Sequence, residues 1–83
     1  MKFFHVLLTS IGNVKQFVNA ACSEPFDIDV VAGRYIIDAK SIMGLFSLDL
    51  AKPIRVEVHG TEEDSAAFYK KVEAFIVDPL AEK

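Results

Sequence analysis

The run Ile54-Arg55-Val56-Glu57-Val58-His59 alternates apolar and polar residues without a fault. Successive side chains of a strand point to opposite faces, so this pattern specifies one face in a core and the other in water. A parallel sheet would need both faces apolar, so a chain built around such a strand forms an antiparallel sheet covered on one side. Pro53 leads into the strand and Gly60 ends it. Phe26, Ile28 and Val30 alternate with Asp27 and Asp29 in the same way. Ala32-Gly33-Arg34 then turns the chain, and Tyr35-Ile36-Ile37 returns as the second arm of a hairpin. Lys2 to Thr9, rich in Phe, Val and Leu, is a further strand with faces Phe4, Val6, Leu8 and Phe3, His5, Leu7.

Other segments change to the helical period. After a short break at Ser10, Ile11 and Gly12, Asn13 is expected as an N-cap with Gln16 as its capping-box partner. Val14, Phe17, Val18 and Ala21 follow at i, i+3, i+4 and i+7, the spacing of one buried face, and Glu24-Pro25 stops the helix. Thr61 caps a last helix whose first turn, Glu62, Glu63 and Asp64, suits the positive end of the dipole. Phe68, Val72, Phe75 and Ile76 form its expected stripe, with Pro79 just past its end. Ser41 to Leu48 offers one or two turns more. The order β-α-β-β-α-β-α predicts an α+β sandwich, a four-stranded antiparallel sheet with helices on one face and the other face open. With 83 residues the expectation is one domain, 1–83.

Composition removes several function classes. Nine Lys+Arg against 12 Asp+Glu leave no basic footprint for nucleic acid. One cysteine, Cys22, excludes an intrachain disulfide framework and multi-cysteine metal motifs, and reads as a packing residue in a cytoplasmic domain. Met1-Lys2 before Phe3–Leu8, with Ala20-Ala21-Cys22 further on, superficially suggests an export signal. The apolar run is too short and contains His5, while Asn19 and Lys15 interrupt the approach. No apolar stretch approaches a membrane span. No cofactor is called for.

At Lys40-Ser41-Ile42-Met43-Gly44-Leu45-Phe46-Ser47-Leu48, followed by Ala51-Lys52, the chain resembles the HPr family. These are small histidine-containing phosphocarriers of the bacterial phosphoenolpyruvate-dependent sugar phosphotransferase system, and the motif is similar to the form found in Gram-positive bacteria. The resemblance implies an open-faced β-sandwich of the order read above. It also implies that Ser41 is the position where a dedicated ATP-dependent kinase adds a regulatory phosphate. The apolar residues after it, Ile42, Met43 and Phe46, are then a docking surface for protein partners: the kinase, phosphotransferase-system enzymes or a transcriptional regulator. Geometry agrees, because a two-turn helix on a sheet buries one stripe and Leu45 with Leu48 claims it. Ser41 also reads simply as an N-cap, and the two roles are compatible.

The resemblance breaks at the phosphoacceptor. The family motif Gly-Leu-His-x-Arg-Pro is expected between the first strand and first helix, where this chain reads Thr9-Ser10-Ile11-Gly12-Asn13-Val14-Lys15. A carrier needs an imidazole nucleophile cradled by helix-terminal N–H groups and a cation. Ser10, Gly12, Asn13 and Lys15 are what remains of that loop, and neither Ser10 nor Asn13 forms a labile phosphoramidate. The expected function is therefore a noncatalytic regulatory or interaction module. The rival is a phosphoryl carrier using another acceptor, with His5 and His59 the only nitrogen nucleophiles of that type. Both histidines are expected on the open face of neighbouring strands, as solvent-facing residues and not as metal ligands. A third reading is a homodimer through the open face, where Phe3, Leu7 and Val31 look more apolar than water favours.

Overall fold

The computed structural model describes residues 2–77. Within them, β1 (Lys2–Val6), β2 (Asp27–Ala32), β3 (Tyr35–Asp38), β4 (Ile54–His59) and β5 (Ile76–Val77) form one sheet in the lateral order β3-β2-β4-β1-β5. Every pairing is antiparallel. The helices α1 (Ile11–Cys22), α2 (Ile42–Phe46) and α3 (Glu62–Lys71) complete the α+β architecture that the alternation predicts. Val6, Ile28, Val30, Ile54, Val56 and Val58 give the sheet's side of the core. Val14, Phe17, Val18 and Ala21 of α1, Leu45 of α2 and Phe68 of α3 give the helices' side. Thus the whole predicted stripe of α1 is buried. The Phe17 and Phe68 rings meet edge to face at 5.8 Å, and Phe4 lies 6.2 Å from Phe68.

The hairpin closes with Ala32 opposite Tyr35 and Gly33-Arg34 between them. Gly33 takes φ +62, the left-handed region that a glycine enters without a Cβ penalty. Thr61 caps α3 as expected: its Oγ1 accepts from the Asp64 N–H at 3.1 Å, and Asp64 Oδ2 accepts from the Thr61 N–H at 3.0 Å.

Several boundaries depart from the pattern. α1 begins at Ile11, so its cap is Ser10 and not Asn13. Ser10 Oγ accepts from the Asn13 N–H at 3.1 Å, while Asn13 Oδ1 accepts from the Thr9 N–H and hydroxyl at 3.2 and 3.0 Å. The earlier start lets Ser10 take an orphan N–H of the first turn while Asn13 ties back the Thr9 N–H and hydroxyl ahead of it. β1 stops at Val6, short of Thr9, and β2 begins after Phe26, which packs half-buried against the core. The last helix ends at Lys71; Glu73–Phe75 form a 3-10 turn, and the chain then adds β5, making five strands instead of four. Phe75 carbonyl accepts from the Leu7 N–H at 2.8 Å and Ile76 pairs with Val6. An open β1 edge gives an aromatic and a β-branched residue a better place than another helical turn. Phe75 and Ile76 therefore leave the helical stripe yet stay against the core. Pro79 lies outside the described residues.

A polar clamp holds the end of α1. Lys71 Nζ lies 2.8 Å from the largely buried Glu24 Oε2 and donates to Ser23 Oγ at 3.0 Å. Lys40 Nζ donates to the Glu24 carbonyl at 3.0 Å, fixing the residue before Ser41 to the segment that follows α1. Cys22 is exposed and not a packing residue, being about 100° around the helix from Ala21. Its thiol points to the Lys40 carbonyl at 3.8 Å.

Candidate functional site at the exposed ends of two helices

Ser41 sits between β3 and α2 and is exposed. Its N–H donates to the Asp38 carbonyl at 2.9 Å, and its Oγ accepts from the Gly44 N–H at 3.3 Å, so it caps α2. The helix has room for one buried stripe. Leu45 is fully buried, Leu48 half-buried, and Met43 is 77% exposed. Phe46 is 41% exposed. Ile42, expected on the outer surface with them, is half-buried and packs against the core, so it frames the patch instead of projecting from it. Gly44 permits this seating: a Cβ there would stand 2.6 Å from Ile37 Cγ2.

The segment that the sequence assigns to a vestigial loop is mostly helix. Gly12, Asn13 and Lys15 lie in the first turns of α1, and only Ser10 precedes it. Gly12 and Lys15 are exposed. Ile11, which sequence reasoning left in a break, is 64% exposed at the first helical position. The stripe spacing, with Val14 three and Val18 seven residues later, would place Ile11 inside. The first turn of α1 projects beyond that cover, and only the position of the cap gives this away.

The two regions meet at Phe46. A shallow depression of about 180 Å³ is lined by Thr9, Ser10 and Ile11 from the start of α1 and by Phe46 and Leu50 from α2 and the segment after it. Ile11 and Phe46 are its exposed apolar walls, with Ser10 as a polar edge. This surface can bury apolar area against a protein and offer hydroxyl and backbone N–H donors. It carries no imidazole.

Both histidines lie on the open face of the sheet, as alternation predicts. The register separates them: His5 is opposite Arg55, whereas His59 pairs with Asp27 at the other end of β4. His59 Nε2 is 2.9 Å from Asp29 Oδ2. His5 meets Phe3 edge to face at 6.4 Å between ring centres. Among the described residues, no three His, Cys, Asp or Glu side chains are grouped to hold a metal ion. Arg55 covers the Phe3 ring at 4.8 Å and also pairs with Glu57. Of the residues expected as an apolar open face, Leu7 and Val31 are half-buried while Phe3 is 60% exposed, and Ile36 joins it. No helix of the described residues is long and apolar enough to cross a membrane.

A small open-faced antiparallel sandwich with an exposed apolar surface between the start of α1 and the end of α2 is the class that this fold and site define. The family model described as "PTS HPr component phosphorylation site" matches residues 13–78, most of the chain. The chain belongs to the HPr family, whose members are phosphocarriers of the phosphotransferase system. The fold is similar to the crystal structure of HPr-C-His from Thermoanaerobacter tengcongensis, with a TM-score of 0.72 and 24% identity over 89% of this chain and 93% of that one. It is also similar to the phosphocarrier protein HPr from Bacillus anthracis strain Ames, with a TM-score of 0.65 and 24% identity over 86% of this chain and 95% of that one. No curated protein matches the chain. The family match begins inside α1, after the β1–α1 connection.

Proposed function

We propose that this HPr-family chain is a docking and regulatory module that does not relay phosphate from phosphoenolpyruvate. The observation that carries the reading is chemical: the surface at the start of α1 presents Ser10, Asn13 and Lys15, and the histidines, His5 and His59, belong to the open face of the sheet. A serine ester or an amide cannot hold phosphate in the labile form that onward transfer needs.

Regulation is assigned to Ser41. Its hydroxyl is exposed at the edge of the Met43–Phe46 patch, and Lys40 is held by Glu24, so the segment is presented in one geometry. A phosphate there adds nearly two negative charges beside an apolar surface. It should weaken apolar partners and favour those that present Arg or Lys. The partners are proteins: the family's serine kinase, phosphotransferase-system enzymes or a transcriptional regulator. The reading places the chain in the cytoplasm, where a lone thiol such as Cys22 stays reduced.

The test has two arms. A competent kinase preparation with ATP, active on an ordinary family member, should add one acid-stable phosphate at Ser41 and none to Ser41→Ala. A chain left unmodified in that mixture removes the regulatory assignment. Changing Met43 and Phe46 together to Ser should leave the melting temperature within a few degrees, because both are exposed. The same change should weaken binding to the kinase by about tenfold or more, since covering apolar area contributes ~25 cal/mol per Å². A double variant that unfolds would instead make these side chains part of the core.

A further inference from the structure

The core face of the sheet runs past its helices at the hairpin end. Alternation along β2 and β3 puts Ala32 and Tyr35, the last register pair, on the same side as Ile28, Val30 and Ile37. Yet Tyr35 is 62% exposed and Ala32 only half-buried. The connection from α2 to β4 curves back beside them and leaves a hollow of about 300 Å³. Its apolar lining comes from Ala32, Leu48, Pro53 and Ile54, and Tyr35, Asp49 and Lys52 supply the polar groups. That volume is at the lower end of small-ligand pockets.

The polar groups are of both signs and are not used up on one another. Asp49 Oδ1 accepts from the Ala51 N–H at 3.1 Å, which fixes the carboxylate and leaves Oδ2 for a ligand. Among the described residues, neither the Lys52 ammonium nor the Tyr35 hydroxyl has a hydrogen-bond or ion-pair partner, and Asp49 and Lys52 do not pair. A simple anion entering the hollow would face the Asp49 carboxylate, and a simple cation would face Lys52. A phosphate ester brings two charges against a single lysine with a carboxylate nearby. A peptide of several residues, at about 3.3–3.6 Å per extended residue, separates its terminal charges by more than so small a hollow holds. The group that satisfies both signs over a compact apolar floor is a zwitterion.

We infer that this hollow binds a free α-amino acid with an apolar side chain. The side chain lies on Leu48, Pro53 and Ile54; the carboxylate is taken by Lys52 with the Tyr35 hydroxyl, and the ammonium by Asp49. The hollow is separate from the docking surface of α1 and α2, and its occupancy stands or falls independently of phosphate relay.

The test is an amide NMR titration of the full chain with L-phenylalanine and L-leucine, up to about 50 mM because so small and open a site binds weakly. Saturable shifts are expected at residues 32–35 and 47–54, with a dissociation constant in the millimolar range. N-acetyl-phenylalanine, lacking the ammonium, and phenylalanine amide, lacking the carboxylate, should each bind about threefold or more weakly. Lys52→Met, which keeps the apolar stem, and Asp49→Asn, which keeps the Oδ1 acceptor for Ala51, should lose affinity by a similar factor while their spectra otherwise superimpose. Absence of saturation, equal binding of the blocked derivatives, or shifts centred elsewhere on the chain would overturn the inference.

Discussion

Phe68→Ala is expected to destabilise the protein by about 3–5 kcal/mol, the range for deleting a buried aromatic side chain. Phe68 has no exposed surface and is the only α3 residue that reaches both Phe17 of α1 and Phe4 of β1 with its ring. Its loss removes an edge-to-face contact with Phe17 and a tilted one with Phe4, and leaves a cavity at the meeting point of two helices and the sheet, which rigid neighbours fill poorly. A domain of this size has total stability near the low end of ~5–15 kcal/mol. The melting temperature should therefore fall by roughly 20 °C or more, with much of the chain unfolded at 37 °C. Phe3→Ala is the control. Phe3 is mostly exposed on the open face under Arg55, so its removal should cost no more than about 1 kcal/mol. Equal effects of the two changes in a thermal melt would mean that the core is not where the packing puts it.

Gly44→Ala is the second large effect, and two terms of opposite sign decide it. Alanine in place of a helical glycine gains about 1 kcal/mol through the backbone. Against that, the new Cβ would stand 2.6 Å from Ile37 Cγ2 and 3.1 Å from Ser41 Oγ. Ile37 is β-branched and stiff at χ1, so relief requires α2 to move off β3, and overpacking of this kind costs about 1–3 kcal/mol. The clash wins. A net loss of up to about 2 kcal/mol is expected, with amide shifts concentrated in residues 37–48. A variant more stable than the parent would show that α2 is not seated on Ile37. Because Ser41 caps the same helix, the displacement should also lower the rate in the kinase assay proposed for Ser41.

The fold was legible wherever one pattern governed a segment. The alternation at Ile54–His59 gave a half-buried strand, and the stripe Val14, Phe17, Val18, Ala21 gave the inner face of α1 residue by residue. What the pattern missed depended on partners distant in sequence. β5 exists because β1 has a free edge, and no local property of Ile76-Val77 announces that edge. The start of α1 was misplaced because Ser10, Asn13 and Gly12 allow more than one cap, and the hydrogen bonds from Thr9 to Asn13 decide between them. The site was half legible. Ser41, Met43 and Phe46 came from the motif, but Ile11 and Leu50 join Phe46 only through the meeting of the start of α1 with the end of α2. Ile42 shows the limit of a stripe argument on a helix of five residues, where a side chain at the edge is shared between core and surface.

The most direct test of the central claim is incubation with phosphoenolpyruvate and the first enzyme of the phosphotransferase system, followed by intact-mass measurement before and after mild acid. An ordinary family member in the same mixture gains one acid-labile phosphate. This chain is expected to gain none, because Ser10 and Asn13 stand at the start of α1 without an imidazole among them. An acid-labile phosphate on His5 or His59 that passes to a downstream acceptor would contradict the account.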